Sequence, residues 1–228
     1  MAKISRTPLA YLEEVNVNVV IYTAVFGGYD TLEPTKFPSI CLTDGSIPVP
    51  PRWEPELVLG LGGTKQVSRY CKILAHEMFP QTDYSIYMDG SVSQIIAPEK
   101  AIEKFLKTSD IAVFPHPDRP CVYDEGEAII RFRKAKAADV EAQLARYRSE
   151  GYPEGNGLAN CCVIIRRHTP EIEHLNKVWW QEYLSGAPRD QLSFDYVCWK
   201  LGIKYGKIGP GNPFTRDCPH FTRIPHRR

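Results

Sequence analysis

The sequence predicts an α/β protein in which a mostly parallel central sheet is flanked by helices. The first indication is a nearly continuous apolar, β-branched run over residues 17–26, typical of a strand buried on both faces. The second is that further short apolar runs alternate along the chain with stretches of helical periodicity. The third is size, since 228 residues with 43% hydrophobic side chains suffice for one core. We therefore predict a single domain, with residues 1–14 as a loose arm and residues 209–228 as a basic, proline-rich tail.

Charge and hydropathy exclude several classes of protein. The formal net charge of +1 argues against a protein that coats nucleic acid or an anionic membrane. No run approaches the roughly 18 apolar residues of a membrane span, and the N-terminus lacks the features of a signal peptide. Seven cysteines are an odd number, and Cys161 and Cys162 are adjacent in an apolar run, so we expect reduced core thiols. Together these features predict a cytoplasmic protein.

Local patterns predict the remaining elements in order. Short apolar runs predict strands at residues 40–43, 84–88, 111–114, 161–165 and 203–208. Helical periodicity predicts helices at residues 65–79, 124–148 (in one or two pieces), 171–184 and 188–201. Pro188 suits the first turn of the last helix and Gly202 its end, whereas the proline-rich stretch 47–55 predicts a surface loop.

The predicted helix at residues 65–79 has an apolar and a polar face. The apolar face consists of Val67, Cys71, Leu74 and Met78. The polar face carries Arg69, Lys72 and His76. Arg69 and Lys72 are one turn apart and could neutralise a diphosphate, although a solvated helix face explains them equally well. For the helix at residues 124–148, the core candidates are Ile129, Phe132, Val140, Leu144 and Tyr147.

The strand at residues 84–88 ends at Asp89-Gly90-Ser91. Ligands of an open α/β sheet bind at the carboxyl ends of its strands, where Asp89 stands. Asp89 and Ser91 offer two hard oxygens suited to Mg²⁺ or Mn²⁺, and Gly90 permits close approach of a ligand. An ordinary Asp-Gly turn is the alternative interpretation.

Other candidate residues stand at predicted strand ends and helix starts. Gly27 and Gly28 follow the first strand and could cradle a nucleotide or simply form a turn. Asp190 and Gln191 begin the last helix, where they could bind sugar hydroxyls or serve only as a helix start. His116 and Arg119 follow the strand at residues 111–114 in a loop stiffened by prolines, together with Tyr123 and Glu125. His220 and His226 lie in the tail and could ligate a metal.

Five segments taken together resemble a known family. They span residues 21–32, 41–45, 69–91, 114–128 and 189–202. In this order they are similar to the family catalogued as domain of unknown function 616, which is regarded as glycosyltransferase-like. Its plant members are implicated in cell-wall polysaccharide synthesis. The resemblance extends over roughly residues 17–208, and the ordered set is far more specific than any single motif.

The resemblance implies a glycosyltransferase A fold, whose Rossmann-like half binds a nucleotide sugar and whose Asp-x-Asp motif holds a metal. Asp89-Gly90-Ser91 matches that motif with Ser91 in place of the second aspartate. Asp190 and Gln191 also resemble the Asp-Gln pair that approaches the sugar in retaining family 8 glycosyltransferases. A histidine near the C-terminus completes the metal site there, for which His220 is the candidate ahead of His226.

We therefore expect a glycosyltransferase that takes a nucleotide sugar, first of all a UDP-sugar, with Mn²⁺ or Mg²⁺ on Asp89, Ser91 and His220. Asp190 and Gln191 are the expected catalytic residues, Asp190 as general base if the enzyme inverts configuration. The expected donor-binding residues are Thr23, Gly27, Gly28, Tyr29, Thr43, Asp44, Arg69, Lys72, His116 and Arg119.

The acceptor is open among a glycan, a lipid-linked glycan, a small molecule and a modified nucleic-acid base. Two other classes of function remain. One is a metal-dependent hydrolase of a polar lipid or phosphodiester, which could use the same acidic site. The other is a non-catalytic module that binds a nucleotide or glycan.

Overall fold

The computed structural model describes residues 17–59, 62–215 and 217–224. The strands in this part of the chain are β1 (Val19–Val25), β2 (Ser39–Thr43), β3 (Trp53–Leu57), β4 (Tyr84–Met88), β5 (Val92–Gln94), β6 (Ile111–Pro115), β7 (Ala159–Arg167), β8 (Gly206–Lys207) and β9 (Phe221–Arg223). The helices are α1 (Thr64–Ile73), α2 (Ala75–Met78), α3 (Pro98–Phe105), α4 (Val122–Arg131), α5 (Ala137–Ser149), α6 (Pro170–Ser185) and α7 (Asp190–Leu201).

A seven-stranded sheet in the order β3-β2-β1-β4-β7-β6-β8 forms the centre of the molecule. Strands β3, β2, β1 and β4 are parallel, β7 is antiparallel to both its neighbours, and β8 is parallel to β6. The prediction of a mostly parallel sheet flanked by helices is therefore confirmed. Strands β5 and β9 form a separate antiparallel ribbon.

Two apolar layers cover the sheet, one on each face. Alternate residues of β1 point into them, Tyr22 into one layer and Ile21 into the other, which explains the continuous apolar run in the sequence. The first layer packs under α1 and α4 to α7, and the second under α3 and the β5–β9 ribbon. Cys161 and Cys162 point into opposite layers and cannot pair, and all seven cysteines are unbridged as predicted.

Several predicted elements need correction. The loop predicted at residues 47–55 ends at residue 52, because residues 53–57 form the edge strand β3. An edge position tolerates the missing N–H of Pro55. The helix predicted at residues 65–79 breaks at Leu74, whose φ of −97° and ψ of 49° are not helical. Pro188 precedes the N-cap Arg189 and lies outside the helix, while Gly202 closes it at φ +68° as predicted. Phe132, predicted in the core, is 54% exposed.

The sequence patterns also missed α3 and the short strands β5 and β9. Only two residues of the strand predicted at residues 203–208 form a strand, β8. Among the described residues, no helix has both the length and the apolar character needed to cross a bilayer. His226 and the whole of the predicted N-terminal arm, residues 1–14, lie outside the described residues.

Candidate functional site

The site lies at the carboxyl edge of the sheet. Strands β1, β2 and β4 are parallel, so their carboxyl ends share one edge, and β6 runs in the same direction because β7 opposes both β4 and β6. The loops that follow them carry Gly27, Asp44, Asp89 and His116 respectively. This edge is where ligands of open α/β sheets bind.

A buried charge cluster joins α1 to the start of α7. Asp190 Oδ1 lies 2.8 Å from Arg69 Nε, and Asp190 Oδ2 lies 2.7 Å from Lys72 Nζ. Lys72 is only 3% exposed, which excludes the alternative interpretation of a solvated helix face. The helix instead turns this face toward α7, which supplies the compensating carboxylate.

The groups of this cluster remain ionised despite their burial. Burial alone would raise the pKa of Asp190, but Arg69 and Lys72 outweigh burial and keep that pKa far below its usual range. Burial alone would lower the pKa of Lys72, yet Asp190 and Asp89 raise it above its ordinary value. Asp190 additionally accepts hydrogen bonds at its backbone carbonyl from Trp179 Nε1 and Ser193 Oγ, at 3.0 and 3.1 Å. Each ionised group is therefore fixed in place.

Asp89 faces the same cluster from the end of β4. Its Oδ1 accepts a hydrogen bond of 2.8 Å from the Tyr87 hydroxyl and lies 3.5 Å from Lys72 Nζ. The Lys72 ammonium also lies 5.1 Å from the centroid of the Tyr87 ring. About a third of the Asp89 side chain is exposed, so Asp89 lies between the buried cluster and solvent.

Arg166, which sequence patterns did not single out, and Tyr22 together fix the end of α1. The fully buried guanidinium of Arg166 on β7 donates hydrogen bonds to the carbonyls of Ile73 and Lys72, at 3.0 and 2.6 Å. The Tyr22 hydroxyl lies 3.2 Å from the carbonyls of Cys71 and Lys72. These donors satisfy carbonyls left unpaired at the helix C-terminus. The available signal was Arg166, a charged residue that directly follows the apolar run at residues 161–165.

The loop after β1 depends on two glycines. Gly27 and Gly28 have φ values of +66° and +64°, which side-chain-bearing residues rarely adopt. Gly27 N donates to Asp44 Oδ2 and Gly28 N donates to Ser46 Oγ, both at 2.8 Å. The hydrogen bonds from Ser46 and from Gly27 lower the pKa of Asp44. This loop presents Tyr29 with 85% of its surface exposed.

Two of the predicted donor-binding residues lie inside the sheet. Thr23 is fully buried within β1, and Thr43 is 1% exposed with its hydroxyl accepting from Gly45 N at 3.1 Å. Neither side chain can reach a ligand in this conformation, so the prediction that they contact the donor is not supported.

The start of α7 adds polar groups without partners. Gln191 Nε2 and Arg189 Nε are buried and have no hydrogen-bond partner among the described residues. Lys65 stands one turn before Arg69 on α1. Burial, and then the charges of Arg189 and Arg69, lower its pKa. A groove runs beside this end of the site between residues 63–66, at the start of α1, and residues 183, 184, 186 and 188.

The three predicted metal ligands do not meet in one place. At one end of the β5–β9 ribbon Ile224 N donates to the Ser91 carbonyl, and at the other Ile95 N donates to the His220 carbonyl. The intervening three-residue strand spans about 10 Å. The His220 ring lies instead 2.8 Å from Lys104 Nζ.

Asp30 packs against Gly90, so this glycine accommodates a neighbouring side chain of the fold. Even so, within the described ranges no three His, Cys, Asp or Glu side chains are grouped to hold a metal ion. The ligand set predicted for Mn²⁺ or Mg²⁺ is therefore not assembled, and Asp89, its one carboxylate, already faces the Lys72 ammonium. These residues do not fit a divalent cation in the way the motif predicted.

His116 and Arg119 lie apart from the cluster. Strand β7 separates β6 from β4, which places them about 10 Å along the sheet from Asp89. Arg119 Nε binds the buried Glu125 at 2.5 Å, and its NH2 group lies 2.7 Å from His116 Nε2. Burial and then Arg119 lower the pKa of His116 to about 4. The pair braces the loop after β6, and its contact with the donor stays a prediction.

Comparison with known proteins agrees with this architecture. A family model described as the TOD1/MUCI70 glycosyltransferase-like domain matches residues 63–209. Over 143 residues the chain is 32% identical to the probable hexosyltransferase MUCI70 of Arabidopsis thaliana, covering 58% of this chain and 25% of that protein. Over 137 residues it is 27% identical to the alkaline ceramidase TOD1 of the same plant, covering 55% and 30%. The chain thus spans less than a third of the length of these relatives.

Among solved structures, the apo bifunctional glycosyltransferase WbbM superposes with a TM-score of 0.51 at 10% identity, covering 89% of this chain and 42% of that one. This likeness concerns the fold alone, and it confirms the predicted glycosyltransferase A architecture. Because the family model matches well over half of the chain, the protein belongs to the TOD1/MUCI70 glycosyltransferase-like family.

Proposed function

We propose that the protein is a glycosyltransferase that moves a sugar from a nucleoside diphosphate donor, with a UDP-sugar as the first candidate, to an acceptor hydroxyl. One observation carries this proposal. Arg69 and Lys72 are held against Asp190 at the carboxyl edge of the sheet, beside the glycine loop after β1. Two fixed cations at a nucleotide-binding edge suit a diphosphate. Membership of a glycosyltransferase-like family supports the same reading.

The chemistry explains why the cations must be fixed. In the transfer, the bond between sugar C1 and the β-phosphate oxygen breaks, and its electron pair goes to that oxygen. The acceptor oxygen forms the new bond to C1, and the acceptor proton passes to the departing diphosphate or to water. Negative charge therefore grows on the leaving group. Arg69 and Lys72 stabilise this charge without having to reorganise, because Asp190 has already oriented both of them.

Asp190 acts in this scheme by positioning the two cations. A carboxylate whose pKa is held far below its usual range is a poor base, so we do not retain the expectation that it abstracts the acceptor proton. Gln191 is better suited to contact the substrate. Gln191 is partly exposed at the start of α7, and a change of side-chain rotamer would turn its buried, unpartnered Nε2 donor toward a sugar hydroxyl.

The glycine loop supplies the nucleoside side of the proposed pocket. Asp44 and Ser46 fix the backbone of Gly27 and Gly28, and the loop presents Tyr29 to solvent. An exposed aromatic ring next to a diphosphate site can stack on a base. Tyr29 is therefore the proposed base contact.

A thermal-shift panel of UDP-, GDP-, ADP- and CDP-sugars tests the proposal. We expect one nucleotide series to raise the melting temperature, because a ligand at a hundred times its Kd stabilises the folded state by about 2.7 kcal/mol. Lys72→Met should abolish the shift. Lys200→Met, which removes a half-exposed lysine paired with Glu150, is the matched control and should retain it. No shift with any nucleotide, or the same shift in Lys72→Met, would contradict the proposal.

A hydrolase is the second candidate, because one relative is named an alkaline ceramidase. A hydrolase would release product from a lipid or phosphodiester substrate without any nucleotide sugar. Incubation of the protein with ceramide, with and without the nucleotide that gives the largest thermal shift, separates the two functions. The proposed transferase should release no fatty acid from ceramide under either condition.

A further inference from the structure

Lys72 stands in front of Asp89, the carboxylate to which the sequence motif assigned a divalent cation. We propose that this site neutralises the donor diphosphate with the fixed ammonium of Lys72, assisted by Arg69, and binds a nucleoside diphosphate without a divalent metal ion. This inference rests on the proposed function and defines which charges that site uses.

The geometry at Asp89 is the first argument. Its Oδ1 already receives the Tyr87 hydroxyl at 2.8 Å and the Lys72 ammonium at 3.5 Å. A cation placed on this oxygen would lie beside a buried ammonium and be repelled by it. Lys72 cannot turn away easily, because Asp190 holds the same ammonium at 2.7 Å and its side chain is 4% exposed.

The shortage of metal ligands is the second argument. Mg²⁺ and Mn²⁺ sites are built from several oxygen ligands, usually with more than one carboxylate. Here Ser91 stands at the second position of the motif, and the His220 side chain is engaged by Lys104 at the far end of the β5–β9 ribbon. Asp30, which packs against Gly90, completes no group of three metal-binding side chains within the described part of the chain.

The balance of charge is the third argument. Four cations, Lys65, Arg69, Lys72 and Arg189, act on Asp190 or on one another around it. Asp190 and Asp89 compensate two of these four positive charges, and Asp30 beside Gly90 adds a third carboxylate near the site. The balance remains positive, which favours an anion such as a diphosphate. A divalent cation would add positive charge to a site that has a surplus.

Lys72 also has the properties that the role requires. A fixed ammonium must remain protonated in a buried site, and the two carboxylates raise its pKa despite the cost of burial. The backbone of Lys72 is fixed by the protein, because its carbonyl accepts hydrogen bonds from Arg166 and Tyr22. The cation is thus part of the folded structure before any ligand arrives.

Isothermal titration with UDP, and with GDP, ADP and CDP in parallel, tests the inference in excess EDTA and in MnCl₂. We expect the Kd of the tightest nucleotide to agree within about threefold between the two buffers. Asp89→Asn should bind in EDTA as tightly as the unaltered protein or a few times more tightly, since it removes negative charge near the anion. Lys72→Met should weaken binding at least tenfold. Lys72→Arg keeps the positive charge and should weaken binding less, and it replaces the methionine variant in the test if that variant fails to fold.

The outcomes separate this inference from the proposed function. Binding that needs Mn²⁺ by tenfold or more, and that Asp89→Asn removes, would overturn the fixed-cation inference and leave the transferase proposal standing. No binding of any nucleoside diphosphate in either buffer would overturn both. Titration of Mn²⁺ alone gives an independent readout: a micromolar Kd that Asp89→Asn abolishes would contradict the inference, whereas no binding below millimolar Mn²⁺ would support it.

Discussion

At the scale of single residues, Asp190 links the structure of the site to its chemistry. It satisfies Arg69 and Lys72 at once and is itself 4% exposed. A carboxylate in such a pair is expensive to remove, because its loss leaves buried charge without compensation. Gln191, the next residue, has an amide donor with no partner and thus contributes little to the fold. The two neighbours should therefore respond very differently to substitution.

We predict that Asp190→Asn lowers the free energy of unfolding by about 3 kcal/mol, since Lys72 keeps only its longer contact with Asp89. Gln191→Ala should change the free energy of unfolding by less than about 0.5 kcal/mol, yet reduce kcat with the donor KM nearly unchanged. Urea denaturation and steady-state kinetics on the two variants measure both effects. Equal losses of stability in the two variants would contradict the division of roles.

A second residue-scale prediction concerns Asp195, which is 2% exposed inside α7. Its carboxylate accepts hydrogen bonds from Ala159 N at 2.8 Å and from the Tyr205 hydroxyl at 2.5 Å. Burial outweighs these bonds and raises the pKa of Asp195 to about 6. A raised pKa means that the folded state binds the proton more tightly than the unfolded chain. The contribution of Asp195 to the free energy of unfolding is therefore present at low pH and lost as the pH rises through about 6.

We compare the free energy of unfolding of Asp195→Asn with that of the unaltered protein. We expect the difference between them to shift in favour of Asp195→Asn by about 2 kcal/mol when the pH is raised from 4.5 to 7.5. Urea denaturation at the two pH values measures the difference, which cancels the titration of all other groups. The control is Asp139→Asn, which changes an exposed carboxylate on α5 and should track the unaltered protein at both values. The prediction is contradicted if the free energy of unfolding of Asp195→Asn changes with pH in the same way as that of the unaltered protein.

At the scale of elements, α1 is the part of the fold on which the site depends most. It carries both Arg69 and Lys72, and its last carbonyls are held by Arg166 from the middle of the sheet. Arg166 is fully buried, and burial lowers its pKa, with Tyr22 acting in the opposite direction. A cation at a helix C-terminus interacts favourably with the helix dipole. Arg166 therefore sets the position of the helix end that presents Lys72.

We predict that Arg166→Met lowers the free energy of unfolding by about 2–4 kcal/mol, because two charge-assisted hydrogen bonds are lost from buried carbonyls. The neighbouring Arg167→Met is the matched control. Its half-exposed side chain pairs with Asp110 at 3.1 Å, and such surface pairs contribute less than about 1 kcal/mol. Chemical denaturation compares the two variants. Similar losses would show that Arg166 is no more important to the end of α1 than a surface arginine.

At the scale of the whole molecule, sequence patterns predicted what depends on neighbours in the chain. The largely apolar sequences of β1 and β4 identify strands because both faces are buried. The charged, proline-containing β3 was missed because an edge strand needs no such run. The burial of Lys72 was also missed, because its partner Asp190 lies on another element far along the chain. The same holds for His220, whose place is set by the pairing of β9 with β5.

The cysteines provide the whole-molecule test of the fold. Six of the seven are buried and Cys218 is partly exposed, and none is bridged. Burial raises the pKa of Cys41 and Cys71 to about 12, so their reactive thiolate forms are scarce at neutral pH. We predict that Ellman's reagent labels one thiol rapidly in the native protein and all seven in guanidinium chloride without reductant. Cys218→Ser should abolish the rapid phase, and two or more rapid thiols in the native protein would contradict the packing of the two apolar layers.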